Sequence, residues 1–431
     1  MFQKRIASFF NVNEHGSTIK KEILAGIVSF FTIVYIIAVN SSILAETGMP
    51  IEGATWATIL ISFIGCIIMG VWAKSPMILV PGMGVNAMFA YTFVQSMGLS
   101  WQEALAVVFV SGALFVIIAF TRFSRILESA VPDSLKHAIS VGLGLFLSLI
   151  GLEKSGIIIK GDHSLISLGN LGSSEVIVSL ITLIIGIILF LRKVPANFFI
   201  TIFTGTFIAW LFGLTERTTG GFDLSLSGYG VVFGAMSFDR FTSLPFWIAT
   251  FSLTMVLVFE HIGLVSGQVT LLKQPEKYTP AFRASAITTM LSGIFGSSPT
   301  VSTVESASGI TAGGRTGHTA ITTGMLFLLS ILFIPYVKLI PSSAIAPVLI
   351  IVGGLMLQNI KHINLQDLTE GLPAFFIIIM IPFSYSIADG IAFGFIAYPL
   401  AKLVVGKAKQ VSLPLYIIAG LFLLNFVLHS V

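Results

Sequence analysis

The amino-acid sequence predicts an all-α polytopic membrane protein made of two inverted halves with seven segments each. Three observations predict it. Of 431 residues, 55% are hydrophobic and 10% charged, against about 25% charged in a soluble domain, so a water-soluble globule is excluded. Apolar windows of roughly 18 to 20 residues recur along the chain, the length that crosses ~30 Å of hydrocarbon as a helix. Two more segments are too short to span, follow Gly and Pro, and hold matching places in the two halves. That pairing is the sequence mark of discontinuous helices that meet at a transporter's binding site.

Apolar runs bounded by charge, Gly or Pro place the first seven segments near 22–40, 54–73, 86–98, 102–121, 133–151, 175–191 and 197–213. The second seven fall near 245–270, 281–297, 302–313, 317–337, 343–358, 371–387 and 390–406, with a last apolar run at 412–429. The first run, Ile23 to Val39, follows a basic stretch and lacks a small-residue cleavage site, so it reads as a retained span. The short segments are led by Ser75-Pro76 through Pro81-Gly82-Met83-Gly84 before Asn86, and by Gly296-Ser297-Ser298-Pro299 before Glu305. Val131-Pro132-Asp133-Ser134 and Ile340-Pro341-Ser342-Ser343 open the fifth segment of each half, and an odd number of segments per half inverts the second copy. The chain thus divides into a first repeat at 1–213, an external loop at 214–244, a second repeat at 245–406 and a C-terminal apolar helix at 407–431.

Charge gives orientation. Lys4, Arg5, Lys20, Lys21, Lys74, Arg122, Arg125, Lys136, Arg192, Lys193, Lys273, Lys277 and Arg283 fall on one side, which the positive-inside effect makes cytoplasmic together with the N-terminus. Glu46, Glu52, Glu103, Asp162, Glu216, Asp223 and Asp239 mark the other side, where Lys154, Lys160, Arg217, Arg240 and Lys338 dilute the contrast. The net charge of +4 is accounted for by these loop residues, so nucleic acid is not an expected partner. The lone Cys66 lies within an apolar run and supports neither a disulfide framework nor a thiolate metal site.

A charge at membrane depth is costly and marks a substrate or proton path. Between Pro245 and Val269 the ionisable residues are Glu260 and His261, and between Ala284 and Gly314 there is Glu305 alone. Each has a plainer reading: Glu260 as a carboxyl that ties helices together, Glu305 as a cap on the N–H groups of a half-helix, His261 as a histidine bonded to a neighbouring helix. His261 points about 100° away from Glu260 on a helix, so the two do not face one spot. From Ser75 to Gln102 there is no charge, and Asn86, Tyr91 and Gln95 supply the polar groups. Pro81 to Ala87 permits an unwound backbone facing a polar ligand, while Asn86 alone equally reads as an N-cap. The Gly82-x-Gly84-x-x-Ala87 spacing is no dinucleotide fingerprint, because no βαβ context surrounds it. Arg315, beside Gly313 and Gly314, reads as an interfacial anchor rather than a substrate clamp. There is no H-E-x-x-H, Walker loop or G-x-S-x-G, which counts against a protease, an ATP-driven pump and a hydrolase. An enzyme is not expected.

Lys21-Glu22-Ile23-Leu24-Ala25-Gly26 with Val39-Asn40, Pro81 through Tyr91, and Glu305-Ser306-Ala307-Ser308-Gly309-Ile310 followed by Ala312 through Gly317 resemble the nucleobase/cation symporter (xanthine/uracil permease) superfamily. Within it the chain looks like the AzgA-like guanine/hypoxanthine and adenine permeases. The resemblance spans nearly the whole chain. It implies a uracil-permease-like fold of fourteen segments, with a core domain from about 22–121 and 245–337 and a gate domain from about 133–213 and 343–406. It also implies a multi-pass protein of the cytoplasmic membrane that imports purine bases by proton symport. No cofactor is expected, the driving force being a proton gradient with sodium as the alternative.

The resemblance further implies substrate binding by Glu260, Glu305, Asn86 and Ala87, proton coupling through Glu260 and His261, and a homodimer through the gate as an option the family offers. Where AzgA-like permeases usually carry Asp-Thr followed by a Gly, this chain has Glu260-His261-Ile262-Gly263, which is closer to the uracil and xanthine branch. A uracil or xanthine permease is therefore the alternative, and an anion exchanger or channel on a similar fold a remote one. A flat, neutral base edged with N–H donors and carbonyl acceptors suits two carboxylates and free backbone amides.

Overall fold

The computed structural model describes residues 10, 12, 14–122, 130–161, 164, 166–215 and 227–429. Helices dominate. The first half contains α1 (Ile19–Ile33), α2 (Ile36–Ala45), α3 (Ile51–Val71), α4 (Met83–Ala87) continued by a π-helical stretch Met88–Ser96, α5 (Trp101–Phe120), α6 (Asp133–Lys154), α7 (Ser174–Leu191) and α8 (Asn197–Leu211). After a short α9 (Ser227–Gly230) come α10 (Leu244–Leu272), α11 (Tyr278–Phe295), α12 (Ser306–Thr311), α13 (Gly317–Leu329) and α14 (Ile334–Val337). The chain ends with α15 (Ser342–Met356), α16 (Leu368–Ser384), α17 (Ile387–Val404) and α18 (Leu413–His429). Among the described residues, nine helical stretches are long and apolar enough to cross a membrane, and Asn197–Leu211 and Leu368–Ser384 are shorter apolar helices.

Local chemistry sets the ends. Ser100 and Glu103 form a reciprocal capping box on α5, and Ser243 accepts from the Phe246 N–H at the start of α10, in each case satisfying a donor the helix leaves open. Pro132 and Pro341 stand immediately before α6 and α15, as the sequence echo predicts. Gly296 closes α11 at φ +77°, a conformation a Cβ would strain.

Two sets of helices pack side by side. In one, α3 lies on α13, α13 on α1, α11 on α5 and α10 on α5. In the other, α6 lies on α15 and α16, α16 on α17, and α15 on α7 and α8. Glycine permits the closest approaches: a Cβ on Gly70 of α3 would sit 2.7 Å from the Gly317 carbonyl oxygen, and one on Gly293 of α11 would sit 2.7 Å from that of Leu105. Such small-residue contacts are the usual means by which membrane helices approach. The sets touch where α4 and α10 meet α6, α10 meets α17 and α1 meets α8. Phe422 of α18 packs on Phe251 of α10 and Phe395 of α17, at 5.3 and 6.1 Å between ring centroids.

Several segment edges differ from the sequence expectation. The first span breaks at Val34-Tyr35 and its second piece runs on to Ala45, past the expected end at 40. The 86–98 segment begins at Met83, because the unwound stretch ends as soon as Gly82 turns the chain. The 302–313 segment is helical only over Ser306–Thr311, and its first residue, Ser302, ends the strand Thr300–Ser302. Pro335 sits in the first turn of α14, and the 317–337 run tightens into a 3-10 stretch at Ser330–Phe333 just before it. The polar stretch 214–244, where described, is anchored: Gly234 donates to the Ile294 carbonyl at 2.8 Å and Ser237 to that of Gln102 at 3.1 Å.

Three of the cations that dilute the charge contrast are paired. Lys154 pairs with Glu46, Arg240 with Glu103 at 3.6 Å, and Lys338 with Glu52; Arg217 and the acids Asp162, Glu216 and Asp223 lie outside the described residues. At the other end Lys277 donates to the carbonyls of Lys74 and Arg315, both at 2.7 Å. Glu22 accepts there from the backbone N–H groups of Arg315 and Thr316 and from the Thr319 hydroxyl.

Candidate functional site

The two short segments meet through β-structure. β1 (Leu79–Pro81) pairs antiparallel with a strand at Thr300–Ser302, with Val80 opposite Val301. All six strand residues are buried. Gly82 donates to the Pro299 carbonyl at 3.1 Å, and the Ile78 N–H donates to the Ser306 hydroxyl at 3.1 Å. Unwound backbone inside a membrane must find partners within the protein, and these two stretches satisfy each other. Two more side chains hold them. Asn40 of α2 donates to the Thr58 and Ser297 hydroxyls and accepts from Ser298 at 2.8 Å. Gln268 of α10 donates to the Thr303 carbonyl at 2.6 Å and accepts from Ser302 at 2.7 Å.

Helix α10, which carries Glu260, packs against α4, which carries Asn86, against α12, which follows Glu305, and against the strand Thr300–Ser302. Asn86 lies inside α4, four residues after its N-cap Gly82, and therefore does not cap. Its side chain is fully buried, and neither amide atom has a hydrogen-bond partner. An unpaired buried amide is expensive, so a ligand that supplied both an acceptor and a donor would relieve it. Ala87 is buried beside it.

Glu305 immediately precedes α12 but makes no side-chain capping bond. Instead its Oε1 accepts from the Tyr35 hydroxyl at 2.7 Å, which sets aside the capping alternative. Glu260 is half-buried, and its Oε2 has no partner. His261 is turned elsewhere: its Nδ1 bonds the Leu257 carbonyl at 2.7 Å, its ring lies 4.9 Å from that of Phe115 on α5, and Nε2 has no partner. Neither ring nitrogen thus bonds Glu260. Arg315 donates to the Ile310 and Gly314 carbonyls at 2.8 and 3.1 Å, which anchors the end of α12. Among the described residues no group of three or more His, Cys, Asp or Glu side chains could hold a metal ion.

The two sides of Glu260 differ. From Ile248 through Phe259 every residue of α10 is buried except half-buried Phe251, whereas beyond Glu260 the residues Gly263, Ser266, Gly267 and Thr270 are exposed. A Cβ on Gly263 or Gly267 would meet nothing within 4 Å. Past Tyr91 the picture is the reverse. Tyr91 donates to Glu46 at 2.9 Å, Glu46 pairs with Lys154, and Tyr385 donates to Glu153 at 2.5 Å. The rings of Tyr91, Phe146 and Tyr385 stack edge to face in series at 6.0 and 5.5 Å.

Sequence reasoning missed Tyr35 and the fastening roles of Asn40 and Gln268. A tyrosine within the apolar run Ile23–Val39 was the available signal for the first, and an amide within a predicted membrane span for the others.

Half-helices whose unwound leading stretches pair inside a helical membrane bundle, with half-buried carboxyls on the adjoining elements, define a transporter. A family model described as the Permease family, of the xanthine/uracil permeases, matches residues 20–393, and the chain belongs to that family, a permease and not an enzyme. A nucleobase transporter, PlAzg2 of Paenibacillus larvae, is 50% identical over 88% of this chain and 77% of its own. The guanine/hypoxanthine permease PbuO of Bacillus subtilis is 35% identical over 96% of this chain and 99% of its own, and the adenine permease AdeP of Escherichia coli is 35% identical over 99% and 96%. Among solved structures, the transmembrane domain of the cyanobacterial bicarbonate transporter BicA superposes with a TM-score of 0.66 at 16% identity, covering 86% of this chain and 96% of that one. SLC26A9 gives a TM-score of 0.66 at 12% identity over 90% of this chain and 65% of that one. At these identities the two structures speak to the fold alone.

Proposed function

We propose that this permease imports purine nucleobases across the cytoplasmic membrane by proton symport, with its N-terminus inside. The observation that carries the reading is Asn86, a fully buried amide with both atoms unpaired, on an element packed against the helix of Glu260. A purine edge offers the matching donor and acceptor, and its ring N–H groups suit the free oxygens of Glu260 and Glu305. The relatives named for guanine, hypoxanthine and adenine favour those three bases over uracil or xanthine. Segments α4, α10 and α12, with the strands between, contain Glu260 and Glu305 and no Lys or Arg, the reverse of what an anion site needs. Glu260, with its unpaired oxygen, carries the coupled proton.

The architecture behind this reading is fourteen segments in two inverted repeats, with α18 as an addition. The antiparallel pairing of the two unwound stretches and the matching proline starts of α6 and α15 support it. The two packed sets of helices correspond to a core (22–121 and 245–337) and a gate (133–213 and 343–406). The closure by Glu46, Tyr91, Lys154, Glu153 and Tyr385 then faces outward, and the open stripe on α10 faces the cytoplasm, so the arrangement is inward-facing in an alternating-access cycle. A panel of guanine, hypoxanthine, adenine, xanthine, uracil and bicarbonate, tested by thermal shift on the purified chain, examines the substrate class. Stabilisation by the first three supports the reading. Stabilisation by uracil, xanthine or bicarbonate alone contradicts it.

A further inference from the structure

Tyr35 sits at the joint between α1 and α2, where both Val34 and Tyr35 keep near-helical angles yet the helix is interrupted. Its side chain reaches the other half of the chain. The hydroxyl donates to Oε1 of Glu305 at 2.7 Å, a distance in the short range of an O–H group bonded to a carboxylate. The ring is 3% exposed and stands edge-on to Phe198 of α8 at 5.1 Å between centroids. Phe198 in turn stacks on Phe190 of α7 at 6.2 Å. Tyr35 therefore touches a carboxylate of the candidate site with one end and the neighbouring set of helices with its face.

We propose that Tyr35 is the positioning residue of Glu305: its hydroxyl holds one carboxylate oxygen so that the other faces the substrate, while its ring carries the state of the site to α8. The substrate half of this inference rests on the nucleobase reading above. The Glu305 side chain makes no other hydrogen bond among the described residues, and it does not cap its own helix. Without the tyrosine hydroxyl the carboxylate has no fixed rotamer, and a site whose polar groups are not held in place loses discrimination as well as affinity.

The test uses the purified full-length chain. Infrared difference spectra of wild type against Glu305→Gln identify the Glu305 carboxyl band without any ligand. In Tyr35→Phe that band should shift, and an unchanged band overturns the proposal. Hypoxanthine binding supplies the second arm: Tyr35→Phe should weaken it about tenfold with unliganded thermal stability retained. Adding Tyr35→Phe to Glu305→Gln should cost nothing further, because the two act as a unit. In transport, Tyr35→Phe should raise KM and keep Vmax, while Tyr35→Leu, which also loses the Phe198 contact, should lower Vmax. Additive losses in the double variant overturn the proposal. A shifted band in a chain that binds no nucleobase would leave the positioning of Glu305 standing and overturn the substrate half together with the nucleobase reading.

Discussion

Glu46 at the end of α2 and Lys154 at the end of α6, 108 residues apart, form an ion pair that fastens the two packed sets of helices to each other. Tyr91 shares the same carboxylate, and Thr92 next to it accepts from the N–H of Ile387 on α17 at 3.2 Å. The contact between the two sets at this end is therefore built from a handful of polar contacts.

Lys154→Met should loosen that contact. In a Cys66→Ser, Thr92→Cys background, an impermeant maleimide added outside should label the chain several-fold faster when Lys154 is replaced. Equal labelling rates with and without Lys154→Met would show that the pair does not hold the closure.

Asn86→Ala removes a buried amide that makes no native hydrogen bond, so the unliganded protein should keep or gain thermal stability. Binding should weaken by ~10- to 100-fold, the loss of one or two hydrogen bonds to substrate. Calorimetric melting with and without hypoxanthine separates the two effects.

Asn40→Ala predicts the opposite pattern. Asn40 is fully buried and bonds Thr58, Ser297 and Ser298, so its loss leaves several partners unsatisfied and should cost about 2–4 kcal/mol. Detergent-solubilised yield and melting temperature should fall before any change in substrate preference is seen.

Lys277, in the short turn Pro275–Lys277 between α10 and α11, is pushed down by burial to about 8. An unfolded lysine titrates near 10.4, so between these values the unfolded chain binds more protons and stability rises with pH. Wild type should gain stability from pH 8 to 10 relative to Lys277→Met, as read from melting temperatures. A flat difference across that window would refute the assignment.

The membrane class, the two interrupted segments and the presence of Glu260 and Glu305 among apolar residues were legible in the sequence, because a charge or a Gly-Pro pair stands out against a long apolar run. Segment edges were less so. Nothing in the composition of Ile23–Val39 marks the break at Val34-Tyr35, which is set by what Tyr35 meets across the fold. Likewise Glu305 alone reads as a cap, and only the placement of α1 beside α12 shows that it bonds a tyrosine instead. Glu260 and His261 are neighbours in sequence that separate in space, as helical geometry requires, but the partner of His261 on α5 depends on long-range packing. The anchoring of the external loop before α10 is not legible in the sequence, because its partners are backbone groups of α5 and α11, which carry no residue signature.

The most direct test of the central claim is uptake of radiolabelled hypoxanthine by proteoliposomes containing the purified chain, with and without an inward proton gradient. The account predicts accumulation above equilibrium that is driven by the gradient, collapses with a protonophore and is lost in Glu260→Gln, while base exchange without a gradient persists in that variant. Accumulation by Glu260→Gln equal to wild type, or no hypoxanthine movement under any gradient, would contradict it.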